Sequence, residues 1–184
     1  MIQVRDCRYR LPVDPGSSPS RHRNMKDLLE TFPIFAGLTS AELDRVAQHC
    51  SNVRIERGEH LFKAGEAASA LFVVRAGRIE LHFDVVCYGA TDLFVLDVKS
   101  AGDVCGWSAL IPPHVFTLGA HAAEASELIR IDRTGLFACC EADTHLGYQV
   151  MKNIAGIVGE RYQRTRQMLA GEIQNSLRQK DPLS

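Results

Sequence analysis

The 184-residue sequence lacks the features that define several large functional classes. Its apolar runs fall short of the ~18 residues that suggest a membrane-spanning helix. It contains no GxSxG nucleophile elbow, no P-loop and no paired-carboxylate arrangement suited to acid–base chemistry. Lys and Arg number 21 and Asp and Glu number 22, so no overall charge draws the chain to nucleic acid or to an acidic membrane. The sequence therefore predicts a protein that is not an enzyme, does not bind membranes and recognises any partner locally.

Patterns for zinc or iron–sulfur binding are also missing. The six cysteines are scattered, and none lies in a CxxC pair. Because the sequence has no secretion signal, we expect reduced thiols in a cytoplasmic protein. Cys105 and the adjacent Cys139 and Cys140 leave a thiol redox sensor open as an alternative function, which requires exposed thiols of low pKa.

The first 24 residues show no apolar period and end in VDPGSSPSRHRN, a stretch rich in Pro, Ser, Gly and Arg. This composition predicts a disordered tail over residues 1–24. Because regular patterns begin only at Met25, translation from Met25 is an alternative to translation from Met1.

Two short helices are predicted after Met25. Pro33 ends the first, because proline fixes φ and has no amide proton to donate. Thr39 and Glu42 form a TxxE capping box that starts the second. The second helix has one apolar stripe, which consists of Leu43, Val46 and Ala47.

The hydrophobic period then changes to two, which indicates half-buried strands. In RIELHFDV an apolar set, Ile79, Leu81, Phe83 and Val85, alternates with a polar set, Arg78, Glu80, His82 and Asp84. Glycines punctuate the strands at intervals typical of hairpins. About eight short strands with tight turns predict a mainly β fold with α-helices, in which the strands close into a β-roll or jelly-roll barrel.

A metal-dependent cupin is the enzymatic alternative for a barrel of this size. Its chemistry needs an HxH pair that converges with Glu and a second His on one metal. His60, His82 and His121 are isolated in the sequence, and His82 is expected on the polar face of its strand. The sequence therefore predicts neither a metal site nor a cofactor that can be named with certainty.

After Asp132 the period returns to that of a helix. Asp132 is a candidate N-cap for a short helix, and Thr144 for a long one that runs to about Arg178. The long helix would measure roughly 50 Å, more than the barrel covers. A second copy of the helix is the simplest cover for its far half, so residues 144–180 are predicted to be a dimerisation helix that joins a homodimer over residues 144–178. The alternative is a monomer with a frayed terminal helix.

Three segments carry a resemblance to a known family: HLFKAGEAASALFVVRAGRIEL, GDVCGWSALIPP and CEADTHLGYQVMKNI. In this order and spacing they resemble the cyclic-nucleotide-binding domain family, whose fold is the β-roll of the catabolite activator. The resemblance covers residues 25–177 and implies one domain over residues 25–143. It also implies a regulatory function, with a cyclic nucleotide or another small molecule as effector.

The family binds the cyclic phosphate and ribose with a cassette of the pattern GDxFGExAL, followed after a few residues by R[ATS]AT. In that cassette the arginine neutralises the phosphate, and the glutamate accepts a hydrogen bond from the ribose. The matching positions in this sequence are Gly102, Asp103, Gly106, Ala109 and Leu110. Cys105 stands where the family usually has an aromatic residue.

The two polar anchors of the cassette are replaced. Trp107 stands at the glutamate position and Phe116 at the arginine position. Strand alternation places Phe116 on the inward, apolar face and His121 on the outward face. Because an inward phenylalanine cannot hold a phosphate, we do not expect tight binding of cAMP or cGMP. Ser108 is expected to cap the short helix of the cassette or to contact an anion.

The stretch GWSALIPPH resembles a bacterial single-domain branch of the family with a GWSxLxPP cassette. That resemblance implies an arginine just after the double proline, where this sequence has His114 and Val115. A helix-turn-helix domain, as in the transcription factors of the family, would not fit before Ser184, so direct DNA binding is not expected. Arg161, Arg164 and Arg166 are interpreted as the solvated flank of a coiled coil.

Taken together, the sequence predicts a stand-alone, non-enzymatic sensor with a divergent effector site. The candidate ligand-binding residues are Phe83, Cys105, Gly106, Trp107, Ser108, Ala109, Leu110, Val115, Phe116 and Thr117. The alternative from a different class is a pseudo-sensor, a dimerising scaffold whose pocket is filled by Trp107 and Phe116. An open pocket favours the sensor, and a packed pocket favours the scaffold.

Overall fold

The alternating segments form eight strands between two pairs of helices, in a computed structural model that describes residues 19–87 and 90–180. The helices are α1 (Pro19–Glu30), α2 (Ser40–Ala47), α3 (Arg133–Ala142) and α4 (Thr144–Lys180). The strands are β1 (Cys50–Ile55), β2 (His60–Phe62), β3 (Ala70–Ala76), β4 (Ile79–Cys87), β5 (Ala90–Lys99), β6 (Val104–Cys105), β7 (Gly119–Ala122) and β8 (Ser126–Asp132). Short 3-10 helices cover Pro33–Phe35 and Trp107–Leu110.

The strands lie in two antiparallel sheets of the orders β1-β8-β3-β6 and β2-β7-β4-β5. Apolar side chains from both sheets fill the core, and the residues without solvent exposure include Leu71, Val73, Ile79, Ile129 and Ile131. The predicted β-roll with N-terminal helices and a long C-terminal helix is therefore confirmed. None of the helices within the described ranges is both long and apolar enough to cross a membrane.

The hairpin of β4 and β5 extends past its neighbour in the sheet. Strand β4 pairs with β7 only from Ile79 to His82, whereas its pairing with β5 continues to Cys87. Beyond His82, β4 has only β5 as a described neighbour in its sheet. Side chains in that part of the hairpin have no strand beside them on the β7 side.

The N-terminal helices follow the sequence signals closely, with one difference at the start. The sequence predicts that the first helix begins after Met25. Helix α1 instead begins at Pro19, six positions earlier than Met25. The predicted capping box at α2 is present, because Thr39 Oγ1 accepts from the amide of Glu42 and the Glu42 carboxylate accepts from the amide of Thr39. Residues 1–18 of the predicted tail lie outside the described residues.

The C-terminal helices are also capped, but not in every case by the predicted residue. Asp132 accepts a hydrogen bond from the amide of Gly135 and so caps α3, as predicted. At the start of α4 it is Asp143, rather than Thr144, whose carboxylate accepts from the amides of His145 and Leu146. An aspartate one position earlier thus supplies the acceptor that the free amides require.

Helix α4 packs on the rest of the domain with its first half only, mainly against α3 and the 3-10 helix Pro33–Phe35. Val150 and Ile154 are buried in the hydrophobic core, and Ile157 and Val158 are half-buried. The apolar residues further along, Met168, Leu169, Ile173 and Leu177, are exposed. The domain therefore covers only part of the helix, as its length predicts.

A buried carboxylate joins α2 to the start of α4. Glu42 in α2 is 4% exposed, and its carboxylate accepts from Nδ1 of His145 in α4 at 2.7 Å. Burial raises the pKa of Glu42, but the hydrogen bonds from His145 and Thr39 outweigh it, and the net shift is downward. The ionised carboxylate therefore stabilises the contact between α2 and α4.

Replacing this carboxylate by the substitution Glu42→Gln is expected to lower the free energy of unfolding at pH 7 by about 1–3 kcal/mol, the usual cost of removing a buried charged hydrogen-bond partner. Because the folded pKa is lowered, the wild-type advantage is present above the ordinary value of 4.5 and is lost as the pH falls through the folded pKa. Urea unfolding between pH 7 and pH 3 measures this. The exposed Glu141→Gln is the control, and equal losses in both variants would contradict the prediction.

Candidate ligand-binding site

The cassette, residues 102–110, runs through β6, the edge strand of the first sheet. Val104 and Cys105 pair with Val73 and Phe72 of β3. Gly106 then adopts a φ of +74°, and a Cβ at this position would lie 3.1 Å from Cε1 of Phe116. Both the positive φ and this close approach favour glycine, and the turn leads into the short helix Trp107–Leu110 over the core.

The short helix is held by backbone bonds rather than by the predicted serine cap. Gly106 is its N-cap residue and no side chain caps it, so the expected capping role of Ser108 is wrong. Ser108 is buried, and its carbonyl accepts from the amide of Ile111. After the double proline, His114 turns back with a φ of +58°, and its Nδ1 lies 3.0 Å from the carbonyl oxygen of Ala109.

The segment after His114 is fixed to the loop between β2 and β3. The amide of Phe116 donates to the carbonyl of Glu66, and the amide of Gly65 donates to the carbonyl of Phe116. Val115 forms an isolated bridge with Ala67. These bonds set the strand parity and direct Phe116 inward, as its place in the alternation predicts.

Phe116 fills the place that the resemblance gives to the phosphate-binding arginine. Its ring is 6% exposed and stacks on Phe62 of β2, with 3.9 Å between the centroids and 10° between the planes. Phe62 also lies against Phe72, at a centroid distance of 5.9 Å. An aromatic stack therefore occupies the interior of the roll beside the cassette.

Trp107 at the glutamate position meets a cation from α4. The guanidinium carbon of Arg161 lies 5.8 Å from the centroid of the Trp107 ring, within the range of a cation–π contact. Burial lowers the pKa of Arg161, and the negative charge of Asp97 only partly offsets this effect. Of the ion pairs between residues that the structure describes, none includes Arg161.

Arg161 is the principal site residue that the sequence analysis missed, because its interpretation as a solvated coiled-coil flank is wrong. The signal was present in the spacing of the helix. Arg161 follows the buried Ile154 by seven positions and the half-buried Val158 by three, so all three share one face. A cation on the face by which a helix packs is costly unless it finds a polar or aromatic partner, and Arg161 finds the ring of Trp107.

The space enclosed by these groups is small. The pocket is lined by Phe62, Leu81, Gly106, Trp107, Ser108, Phe116, Thr117, Leu118 and Arg161. The cavity volume that the centre of a water-sized sphere can occupy is ≈ 10 Å³, which is room for about one water molecule. The pocket is therefore packed in this conformation and has no room for a nucleotide.

Five of the ten predicted site residues line the pocket: Gly106, Trp107, Ser108, Phe116 and Thr117. Cys105, Ala109 and Leu110 lie instead in the buried core, and Val115 is half-buried in the loop contact. Phe83 is 38% exposed and contacts Phe94 of β5 at a centroid distance of 5.2 Å. Its place in the site is a wrong prediction, since it lies in the part of the hairpin that β7 does not reach.

The thiols do not meet the requirement of a redox sensor. Cys105 and Cys139 are buried, and Cys140 is half-buried. Burial raises the pKa of Cys105 to about 12 and also raises the pKa of Cys139 and of Cys140. Because the thiolate is the reactive form, raised pKa values do not favour this alternative.

The histidines that look isolated in the sequence lie together in the fold. His60, His82 and His121 form a cluster on the outer side of the second sheet, and His82 is buried although it lies on the polar side of its strand. Within the described ranges, no three His, Cys, Asp or Glu side chains are arranged to hold a metal ion. His82 does lie on the polar face of its strand, as expected, but neighbouring side chains and the backbone of Gly119 bury it there.

Comparison with known proteins agrees with this geometry. The family described as the cyclic nucleotide-binding domain matches residues 52–143, half of the chain. A protein of Geobacter metallireducens assigned to cyclic nucleotide binding superposes with a TM-score of 0.63 at 26% identity, over 74% of this chain and 97% of that one. The regulatory subunit of a cAMP-independent protein kinase A from Trypanosoma brucei gives 0.65 at 16% identity, over 82% and 52%. The latter likeness concerns the fold alone.

A curated relative, the cGMP-dependent protein kinase egl-4 of Caenorhabditis briggsae, is 25% identical over 114 residues. The match covers 61% of this chain but only 15% of the kinase. The chain belongs to the cyclic nucleotide-binding domain family. Its relatives by fold are mainly regulatory binding domains.

Removing the guanidinium from the pocket tests the cation–π contact. The substitution Arg161→Ala is expected to lower the free energy of unfolding by about 1 kcal/mol. It should also change the fluorescence of Trp107, which is the only tryptophan in the sequence. The matched control is Arg164→Ala, one turn further along, whose guanidinium pairs with Glu160 at 3.7 Å in solvent. If both variants gave the same emission spectrum as the wild type, the contact between Arg161 and Trp107 would be refuted.

Proposed function

We propose that this protein is a non-enzymatic regulatory domain that does not use its pocket to bind cAMP or cGMP, and that its output is the position of α4. The observation that carries the proposal is the stack of Phe116 on Phe62, at 3.9 Å between centroids, in the place of the phosphate-binding arginine. A cyclic nucleotide would have to break this stack and leave its phosphate without the usual cation, which is costly in a buried site. The cAMP-independent regulatory subunit with the same fold is a precedent for a family member that does not depend on this nucleotide.

The coupling between pocket and output follows from Arg161. The helix that contributes this side chain to the pocket also packs on α3 and on the 3-10 helix Pro33–Phe35, and its Val150 and Ile154 belong to the hydrophobic core. A change at Trp107 therefore alters the contact that α4 makes with the roll. We assign α4 the role of the moving element, because binding can shift an equilibrium only through contacts that differ between two states.

The effector, in this proposal, is a small ligand other than a cyclic mononucleotide. Arg161 gives the pocket a cation from α4 in place of the one that the cassette has lost. A small anion that enters by displacing Arg161 from Trp107 would gain that cation and would move α4. The ligand-contacting residues in this proposal are Gly106, Trp107, Ser108, Phe116 and Thr117, together with Arg161.

A second candidate function is favoured by the cavity volume of ≈ 10 Å³. A pocket this full is also what a ligand-free dimerising scaffold would have, with Trp107 and Phe116 as permanent core. The two candidates share the fold and the role of α4 and differ only in whether the pocket opens.

Thermal unfolding with a ligand panel tests both candidates, because a ligand that prefers the folded state raises its stability. The panel contains cAMP, cGMP, cyclic dinucleotides, and small carboxylates and phosphates. The proposal expects no shift with cAMP or cGMP, and a shift with a small anion that Arg161→Ala removes and Arg164→Ala retains. A shift with cAMP or cGMP would overturn the proposal, whereas no shift with any compound would favour the scaffold.

We further propose that α4 joins two copies of the chain. Its exposed apolar residues recur every four positions at Leu169, Ile173 and Leu177, which are 60%, 52% and 63% exposed. This spacing forms one stripe along the helix, and such a stripe on a soluble helix needs a cover. A second copy of the same stripe is self-complementary in a two-fold dimer.

The substitution Leu169→Glu is expected to convert the dimer to a monomer, because it places a charge in the apolar seam. The control Gln167→Glu adds the same charge on the opposite side of the helix and should leave the dimer intact. Analytical ultracentrifugation over a range of concentrations measures the mass of each variant. A wild-type protein that remains monomeric at the highest concentration would refute the dimer without affecting the pocket proposal.

A further inference from the structure

The histidine cluster lies outside the pocket, on the outer side of the strands β2, β7 and β4. His60 of β2 lies directly opposite His121 of β7, and Glu80 of β4 lies opposite the same His121. The ring centroids are 4.9 Å apart for His82 and His121, 5.8 Å for His60 and His82, and 6.1 Å for His60 and His121. Three imidazoles from three strands thus form one group.

Gly119 makes room for the central ring of this cluster. It lies opposite His82 in the pairing of β7 with β4, and a Cβ at this glycine would be only 2.4 Å from Cε1 of His82. The His82 ring therefore lies over the backbone of β7 and is 5% exposed. Neither of its nitrogens has a hydrogen-bond partner among the described residues, and the same is true of Nδ1 in His60 and in His121.

Both histidines and carboxylates lie close enough to His82 to affect its pKa. Burial lowers the pKa of His82, and His121 and His60 lower it further, against smaller opposing effects of Asp84 and Glu80. From β5, the residue opposite His82 is Val95, which does not titrate. Nε2 of His121 lies 3.0 Å from the Glu80 carboxylate, so that carboxylate is already engaged. The site of His82 therefore favours a neutral imidazole and tolerates an added proton on this ring poorly.

We propose that His82, buried between His60 and His121, is a proton-sensitive clasp that holds β7 against β4 while it is neutral and loosens this contact when it is protonated. Strand β7 follows directly on Phe116, Thr117 and Leu118, which line the pocket. Proton uptake by the clasp would therefore reach the pocket along one short stretch of chain. This inference goes beyond the proposed function and does not depend on which effector the pocket takes.

The direction of the pH effect follows from proton linkage. The pKa of His82 is lower in the folded protein than its ordinary value of 6.5. As the pH falls below 6.5, the unfolded chain takes up this proton first, so the free energy of unfolding decreases until the folded pKa is reached. Within that window one such group changes the folding equilibrium constant by about tenfold per pH unit.

Urea unfolding from pH 8 to pH 5 tests the clasp, with the fluorescence of Trp107 as a reporter near β7. The wild type is expected to lose stability below pH 6.5. The substitution His82→Phe is expected to remove that part of the loss which comes from His82, up to a tenfold change in the folding equilibrium constant per pH unit. The substitution His60→Gln removes one repelling neighbour and should weaken the pH dependence, which keeps the test valid if His82→Phe does not fold. The control His49→Gln removes a half-buried histidine that belongs neither to the cluster nor to the contact between Glu42 and His145.

Three results would overturn the clasp. The first is a wild-type profile that is flat between pH 7 and pH 5, and the second is an unchanged pH dependence in both cluster variants. The third concerns Zn²⁺, since imidazole is a preferred ligand of this ion. Stabilisation of the wild type by added Zn²⁺ at pH 7.5 that His82→Phe abolishes would identify the cluster as a metal site instead. A pH dependence weakened in both cluster variants and kept in His49→Gln would support the clasp.

Discussion

The stack of Phe116 on Phe62 is the contact on which the rest of the site depends. It joins the segment after the cassette to β2 across the interior of the roll, with 3.9 Å between the ring centroids. Gly106 has no Cβ, and so the Phe116 ring can approach the backbone where the short helix begins. Once this stack is in place, apolar atoms fill the position that the resemblance gives to the phosphate-binding arginine. Anything that binds there has to replace aromatic packing with contacts of its own.

The cation in the pocket comes from α4, a part of the chain that is distant in sequence from the cassette. Arg161 reaches the pocket from α4 and lies over Trp107, so the site is complete only when the terminal helix is docked. In the family pattern the cation belongs to the roll itself, whereas here it belongs to the element proposed to move. This arrangement ties the occupancy of the pocket to the docking of α4, even if the ligand makes few contacts of its own.

Local signals in the sequence were enough to predict several features. Alternation predicted the β-roll and the inward direction of Phe116, and capping residues predicted the helix starts at Thr39 and Asp132. The errors concern contacts between distant segments. Alternation assigns Phe83 to the inner face but does not show where its strand loses the neighbour β7. It assigns His82 to the polar face but not the cover supplied by neighbouring strands, which the bare backbone of Gly119 accommodates. Arg161 was predictable in principle, since it shares a face with Ile154 and Val158.

A specific aromatic contact closes the pocket, and a double-mutant cycle on Phe62 and Phe116 measures that contact directly. The free energy of unfolding is determined for the wild type, Phe62→Leu, Phe116→Leu and the double variant. Leucine keeps an apolar side chain at each position but removes the ring. If the two rings stack as described, the coupling energy between the two positions is about 0.5–1.5 kcal/mol. Strictly additive losses would show that the stack does not hold the pocket closed.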